Sequence, residues 1–183
     1  TYFLTKSLSL EGKKNITLRG KGIDKTVLSF KNQVQGAEGI KITNCENIIL
    51  EDFTSQDSKG DLIKTMQVKG ITFRRLKAEW SGKPKASNGS YAFYPVLCEN
   101  VMIDSCIAIG ASDAGIYVGQ SKHIVVKNCT AFQNVAGIEI ENSKLAYVKK
   151  GILQDSHKTV EFATKPTYYS KRSHHNVFAF PRS

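Results

Sequence analysis

No stretch of this 183-residue sequence is apolar for long enough to cross a bilayer as a helix, so no membrane span is expected. Long amphipathic runs at helical spacing are also missing, which excludes a helical repeat. The regular leucine framework of a leucine-rich repeat is absent as well. The four cysteines (Cys45, Cys98, Cys106 and Cys129) contain no CxxC pair and no Cys/His spacing that would suggest zinc. No compact ligand motif supports calcium, so no metal is assigned and the cofactor is unknown. Acidic residues are few, 16 against 26 Lys and Arg, and the formal net charge is +10. A basic excess can signal nucleic acid, but no recognised motif for it is present and the lysines are scattered over turns. A solvated surface is the plainer reading, with no nucleic-acid partner. The chain starts at Thr1 without methionine or signal peptide, and Thr1 to Leu4 already read as a strand. The expectation is that more chain, with any export signal, precedes it.

What is present is a repeat. Cys129 lies 23 residues after Cys106, Val126 after Ile103, Ile124 after Val101 and Tyr117 after Tyr94. Going forward, Ile138 lies 22 residues after Ile116, as do Ile140 after Val118 and Ser143 after Ser121. Earlier, Ile40, Ile42, Cys45 and Ile48 map onto Ile63, Thr65, Val68 and Ile71, each 23 residues on. Within each unit apolar residues alternate with polar ones, as in Ile116/Val118 and Ile124/Val126, and that is strand periodicity. Turn-forming residues separate the strands. The consistent solution is an all-β chain, a right-handed parallel β-helix with three sheets and coils of 22–23 residues. Coils stack at roughly 4.8 Å, so equivalent residues form ladders. One interior ladder should hold Ile63, Phe93, Ile116, Ile138 and Val160. The register holds through about Phe162, giving a β-helix domain over 1–163 and a basic, aromatic tail or cap over 164–183. Cys106 and Cys129 replace core residues on adjacent coils and read as reduced, buried thiols. A monomer is expected.

The run Asn15-Ile-Thr-Leu-Arg-Gly-Lys-Gly-Ile-Asp-Lys-Thr-Val-Leu resembles the first coil of pectin-lyase-like right-handed β-helix proteins. Tyr94-Pro-Val-Leu-Cys-Glu-Asn-Val, Gly110-Ala-Ser-Asp-Ala-Gly-Ile-Tyr-Val-Gly-Gln-Ser and Asn134-Val-Ala-Gly-Ile-Glu-Ile-Glu-Asn-Ser resemble a bacterial group of parallel β-helix repeat proteins. The resemblance spans roughly Thr1 to Ser143. It implies a carbohydrate-related role outside the cytoplasm, periplasmic or extracellular, without implying a reaction. No Asp-Pro-His occurs, which argues against the usual alginate-epimerase arrangement.

One outward residue per coil lies between the inward residues of the first strand. That ladder reads Lys41, Lys64, Tyr94, Tyr117, Glu139 and Glu161. Two aromatic faces with lysines above and carboxylates below suit sugar rings, and Lys64, Tyr94, Tyr117 and Glu139 are the candidate catalytic set. Asp61, Trp80, Asp113, Gln120, Glu141 and Asn142 are candidate substrate contacts. The unit from Ala78 to Phe93 is seven residues longer than its neighbours, and its insertion should project as a loop near Lys64 and Tyr94. Trp80 packs under that loop or binds sugar. Proton abstraction beside a uronate carboxyl, giving elimination or epimerisation, needs a base and an acid. A tyrosine or lysine serves if its pKa is depressed, and Lys64 beside Tyr94 has that potential. Hydrolysis instead needs two carboxyl groups roughly 5–10 Å apart. The expectation is an exported protein that binds, and as a lyase or epimerase modifies, an acidic polysaccharide. The alternative is a non-catalytic carbohydrate-binding or cell-surface structural module.

Overall fold

The structure, a computed structural model, describes residues 1–149 and, beyond them, the backbone strands Ile152–Gln154, Lys158–Ala163 and Phe178–Phe180. Every element among the described residues is a strand, and every pairing is parallel. The chain visits three sheets in turn and then repeats, so each circuit is one coil. The first sheet collects Lys6–Glu11, Gln35–Thr43, Ile63–Met66, Phe93–Val96, Ala114–Gly119, Ala136–Glu141 and Lys158–Ala163. The second holds Lys14–Arg19, Glu46–Glu51, Lys69–Arg74, Glu99–Asp104, Lys122–Lys127 and Lys144–Lys149. The third is made of shorter strands, from Tyr2–Phe3 and Val27–Ser29 to Ile152–Gln154 and finally Phe178–Phe180. The last of these strands pairs residues of the C-terminal tail with Ile152–Gln154.

The period-two pattern becomes burial on one face only. Ile63, Phe93, Ile116 and Ile138 form a continuous interior column, in register and no more than 1% exposed. Val160 is the register partner of Ile138, so the column extends to the last described coil. Ile71, Val101, Ile124 and then Phe73, Ile103, Val126 fill the second sheet's inner face. Each coil thus covers the apolar residues of the one before it.

Single residues in the left-handed region turn the corners. Asn44, Gln67, Leu97, Gln120 and Asn142 follow successive first-sheet strands, with φ between +45° and +57°. His123 belongs to a second such column with Asn47, Gly70, Asn100 and Leu145, each the second residue of its second-sheet strand. For a residue with a Cβ this conformation costs about 1–2 kcal/mol, a cost that the stacked ladders offset. Beside the first corner runs a buried polar ladder. The backbone N–H of Cys98 donates to Ser121 Oγ at 3.0 Å, and that of Ser121 donates to Ser143 Oγ at 3.0 Å. All four cysteines are free and buried, and burial pushes the Cys106 thiol up.

Candidate functional site

The outer face of the first sheet is built by register. Lys41 pairs with Lys64, Lys64 with Tyr94, Tyr117 with Glu139 and Glu139 with Glu161. Phe93 and Ile116 are partners, which sets Tyr94 beside Tyr117. The two rings meet edge-on, with centroids 5.2 Å apart. The sequence-predicted ladder is therefore in place.

A third ring completes it. Tyr91, at the end of the long loop, stacks on Tyr117 at 4.4 Å and tilts against Tyr94 at 4.7 Å. It is the residue that sequence reasoning missed. The signal lay in its column: two positions before the interior Phe93 stands Tyr91, where the next coils have Ala114 and Ala136. Those two small side chains, both buried, leave the hollow that Tyr91 and Tyr117 fill. Gly119 contributes in the same way, since a Cβ there would lie 2.8 Å from the Tyr117 ring.

Carboxylates border the phenols. The Tyr117 hydroxyl donates to Glu141 Oε2 at 2.7 Å, from the next coil. The Asp113 carboxylate lies close enough to the Tyr91 hydroxyl to help raise its pKa. Asp61 accepts the backbone N–H of Tyr91 at 3.1 Å, and burial raises its own pKa. Lys64 Nζ stands 3.8 Å from Asp61 and 3.9 Å from Glu38, and 4.7 Å from the centre of the Tyr94 ring. Its charge is shared between two carboxylates and a π face. Glu139, only 8% exposed, lies next to Tyr117 in register.

Two sequence expectations need correction. The phenols are not activated: burial raises Tyr91, Tyr94 and Tyr117 alike, with Asp113 adding to Tyr91 and Glu141 to Tyr117. A carboxylate neighbour opposes a second negative charge, so the depressed pKa that a tyrosine base requires is the reverse of what this face provides. Trp80 is 6% exposed, with its indole N–H donating to Ser58 O at 2.9 Å. It anchors the loop from beneath and presents no ring to a ligand. Gln120 and Asn142 sit at the corner between the first and second sheets. There they line a cavity of about 390 Å³ with Lys69, Glu99, Lys122 and Lys144.

The loop is a folded element. Asp57 accepts the N–H of Ser81 at 2.6 Å and its hydroxyl at 2.8 Å, and Asn88 donates to Gly110 O at 2.6 Å. Gly89 passes so close to Gly60 that a Cβ would lie 2.2 Å from its carbonyl oxygen. Residues 81–87 are exposed, and Tyr91 delivers the loop's end to the cluster.

Residues 9–169 match the family described as right handed beta helix region, and the chain belongs to that family. A pre-neck appendage protein of Bacillus phage B103 is 26% identical over an alignment of 172 positions that covers 74% of this chain. The chain spans only 20% of that relative's length. Two structures of QnrB1, a plasmid-mediated fluoroquinolone resistance protein, align over 85% of this chain and 91% of theirs. Their identities are 14% and 12% and their TM-scores 0.20 and 0.17, too low to carry an argument.

Proposed function

We propose that this right-handed β-helix is a carbohydrate-binding module, with the outer face of its first sheet as the platform and no catalytic step of its own. The observation that carries the reading is the three-tyrosine cluster at 4.4, 4.7 and 5.2 Å, with the Tyr117 phenol tied to Glu141. Tyr117, 8% exposed, is the buried base of the cluster, and the half-buried rings of Tyr91 and Tyr94 offer a sugar an apolar face edged by hydrogen-bond acceptors. The raised phenols favour binding over elimination or epimerisation.

The electrostatics also choose among sugars. Asp113, Glu139 and Glu141 surround the rings, and Lys64 is already held by Asp61 and Glu38. A uronate would meet carboxylates where it needs cations, so a neutral or amino sugar fits better than the acidic glycan expected from sequence. The similarity to a phage pre-neck appendage protein is consistent with a segment of a larger appendage, which we adopt as part of the proposal together with the location outside the cytoplasm expected from sequence.

The test is calorimetric titration with neutral, amino and uronic oligosaccharides, alongside absorbance for unsaturated products. Binding of neutral or amino sugars, weakened at least tenfold in Tyr91→Ala and without product absorbance, supports the module. Product absorbance with a uronic substrate would replace it with a lyase.

A further inference from the structure

The outer face of the second sheet carries two ladders of charge that alternate from coil to coil. At the first position of successive strands stand Lys14, Glu46, Lys69, Glu99, Lys122 and Lys144. Five residues on stand Arg19, Glu51, Arg74, Asp104, Lys127 and Lys149. Contacts within one copy follow the alternation. Lys14 is 2.7 Å from Glu46, Lys122 3.1 Å from Glu99, Arg19 2.6 Å from Glu51 and Lys127 3.4 Å from Asp104. Between the ladders runs a third outward column, at the fourth position of each strand: Thr17, Ile49, Thr72, Met102, Val125 and Tyr147. Around Val125 this column opens into a hollow of about 430 Å³, lined by Met102, His123, Leu145 and Tyr147. Leu145 and Tyr147 are exposed.

We propose that this face packs against the same face of a second copy, antiparallel, about a two-fold axis that runs along the strands and passes between Lys69–Arg74 and Glu99–Asp104. The signs choose the arrangement. A two-fold axis along the solenoid would lay each ladder on the other at equal levels, cation on cation and carboxylate on carboxylate throughout. An axis along the strands reverses the levels and lays each ladder on itself. Glu46 then faces Lys122 of the second copy and Lys69 faces its Glu99, each contact occurring twice. Lys69 gains most. Within one copy its two neighbouring carboxylates are held by other lysines, and it makes no salt bridge of its own among the described residues. On the other ladder Arg74 faces Asp104, while Glu51 is enclosed by Arg19, Arg74 and Arg75 and adds little.

The register follows from the same residues. With the axis on the strand Lys69–Arg74, Lys69 would meet Lys69 and Glu46 would meet Glu99. With the axis before that strand the signs agree, but Val125 and Tyr147 are left uncovered. With the axis after Glu99–Asp104, Lys69 would meet Lys144. In the proposed register Ile49 of the second copy lies over Val125 and fills the hollow, and Thr72 lies over Met102. Like charges meet only at the corners, Lys14 with Lys144 and Arg19 with Lys149. Two twisted sheets packed face to face splay apart there, and water screens the pairs. The face measures about 29 Å by about 20 Å, so the dimer buries on the order of 1,100 Å² in total, at the low end of specific interfaces, and its formation depends on concentration.

The test is sedimentation of the full chain over a concentration series at low and high salt, beside zero-length carbodiimide cross-linking. A dimer should form, loosen as salt rises, and carry a Glu46–Lys122 cross-link. Within one copy those two residues are three coils, about 14 Å, apart, beyond the reach of a zero-length link. Lys122→Glu and Glu46→Lys should each weaken the dimer at least tenfold, and an equimolar mixture of the two variants should regain it. In the mixed dimer the two altered side chains face each other with opposite signs. Mixing leaves the charges within each copy unchanged, so recovery comes only from contact between copies. Should either variant fail to fold, the wild-type cross-link still decides. A monomer at every concentration, a dimer without the Glu46–Lys122 link, or a mixture no more associated than its components overturns the proposal.

Discussion

At the residue scale, the account rests on how three phenols are held. Each is raised from the ordinary 10.0, with burial the first cause. A group that keeps its proton more tightly when folded stabilises the fold fully below the unfolded pKa, and loses that contribution as pH climbs through the folded one. Stability should therefore be level up to about pH 10 and fall above it, and Tyr91→Phe should flatten the fall. A chemical denaturation series at rising pH checks this. Tyr117→Phe removes one charge-assisted hydrogen bond and leaves Glu141 without its donor, which should cost about 1.5–3 kcal/mol. Gly119→Ala should push the Tyr117 ring off its seat and weaken sugar binding with little change in stability, seen by calorimetry beside thermal melts. Tyr94 and Tyr117 were legible in the sequence because the repeat assigns each an outward rung. Tyr91 was not, because its place depends on the path of an irregular loop. Nor was the sign of the phenol shifts, which depends on how deeply neighbouring rings cover each hydroxyl.

At the element scale, the long loop connects the third sheet to the first, whose outer face carries the tyrosines. Its insertion was countable from the register, as a 30-residue step between Ile63 and Phe93. Which of its aromatics would face outward was not, since Trp80 and Tyr91 bracket the same loop and go to opposite fates. Trp80, the chain's single tryptophan, fills space beneath it and satisfies Ser58. Trp80→Ala should cost about 3–5 kcal/mol and release the loop. Its fluorescence in the wild type should be blue-shifted and shielded from iodide, and urea melts followed by it give the destabilisation. Were the indole fully quenchable, the loop would not be packed as described.

At the scale of the whole molecule, the fold was almost entirely legible, because a solenoid writes its register into the sequence at every coil. Ile63, Phe93, Ile116 and Ile138 needed only counting. The second-sheet charge ladders were equally countable but became meaningful only once the pairs were known to touch. The four cysteines belong to this scale too, since each fills a stacked column. All four should resist thiol reagents in the native chain and react together on unfolding, as timed by chromogenic labelling in denaturant. Reaction of any one of them under native conditions would place a gap in the stack.

Saturation-transfer NMR with a neutral or amino-sugar oligosaccharide tests the central claim most directly, by reading which sugar protons lie against the protein. The account predicts transfer to the sugar's ring-face protons that is lost in Tyr91→Ala and retained in Tyr147→Ala, on the second sheet. Transfer indifferent to Tyr91→Ala, or abolished by Tyr147→Ala, would contradict it.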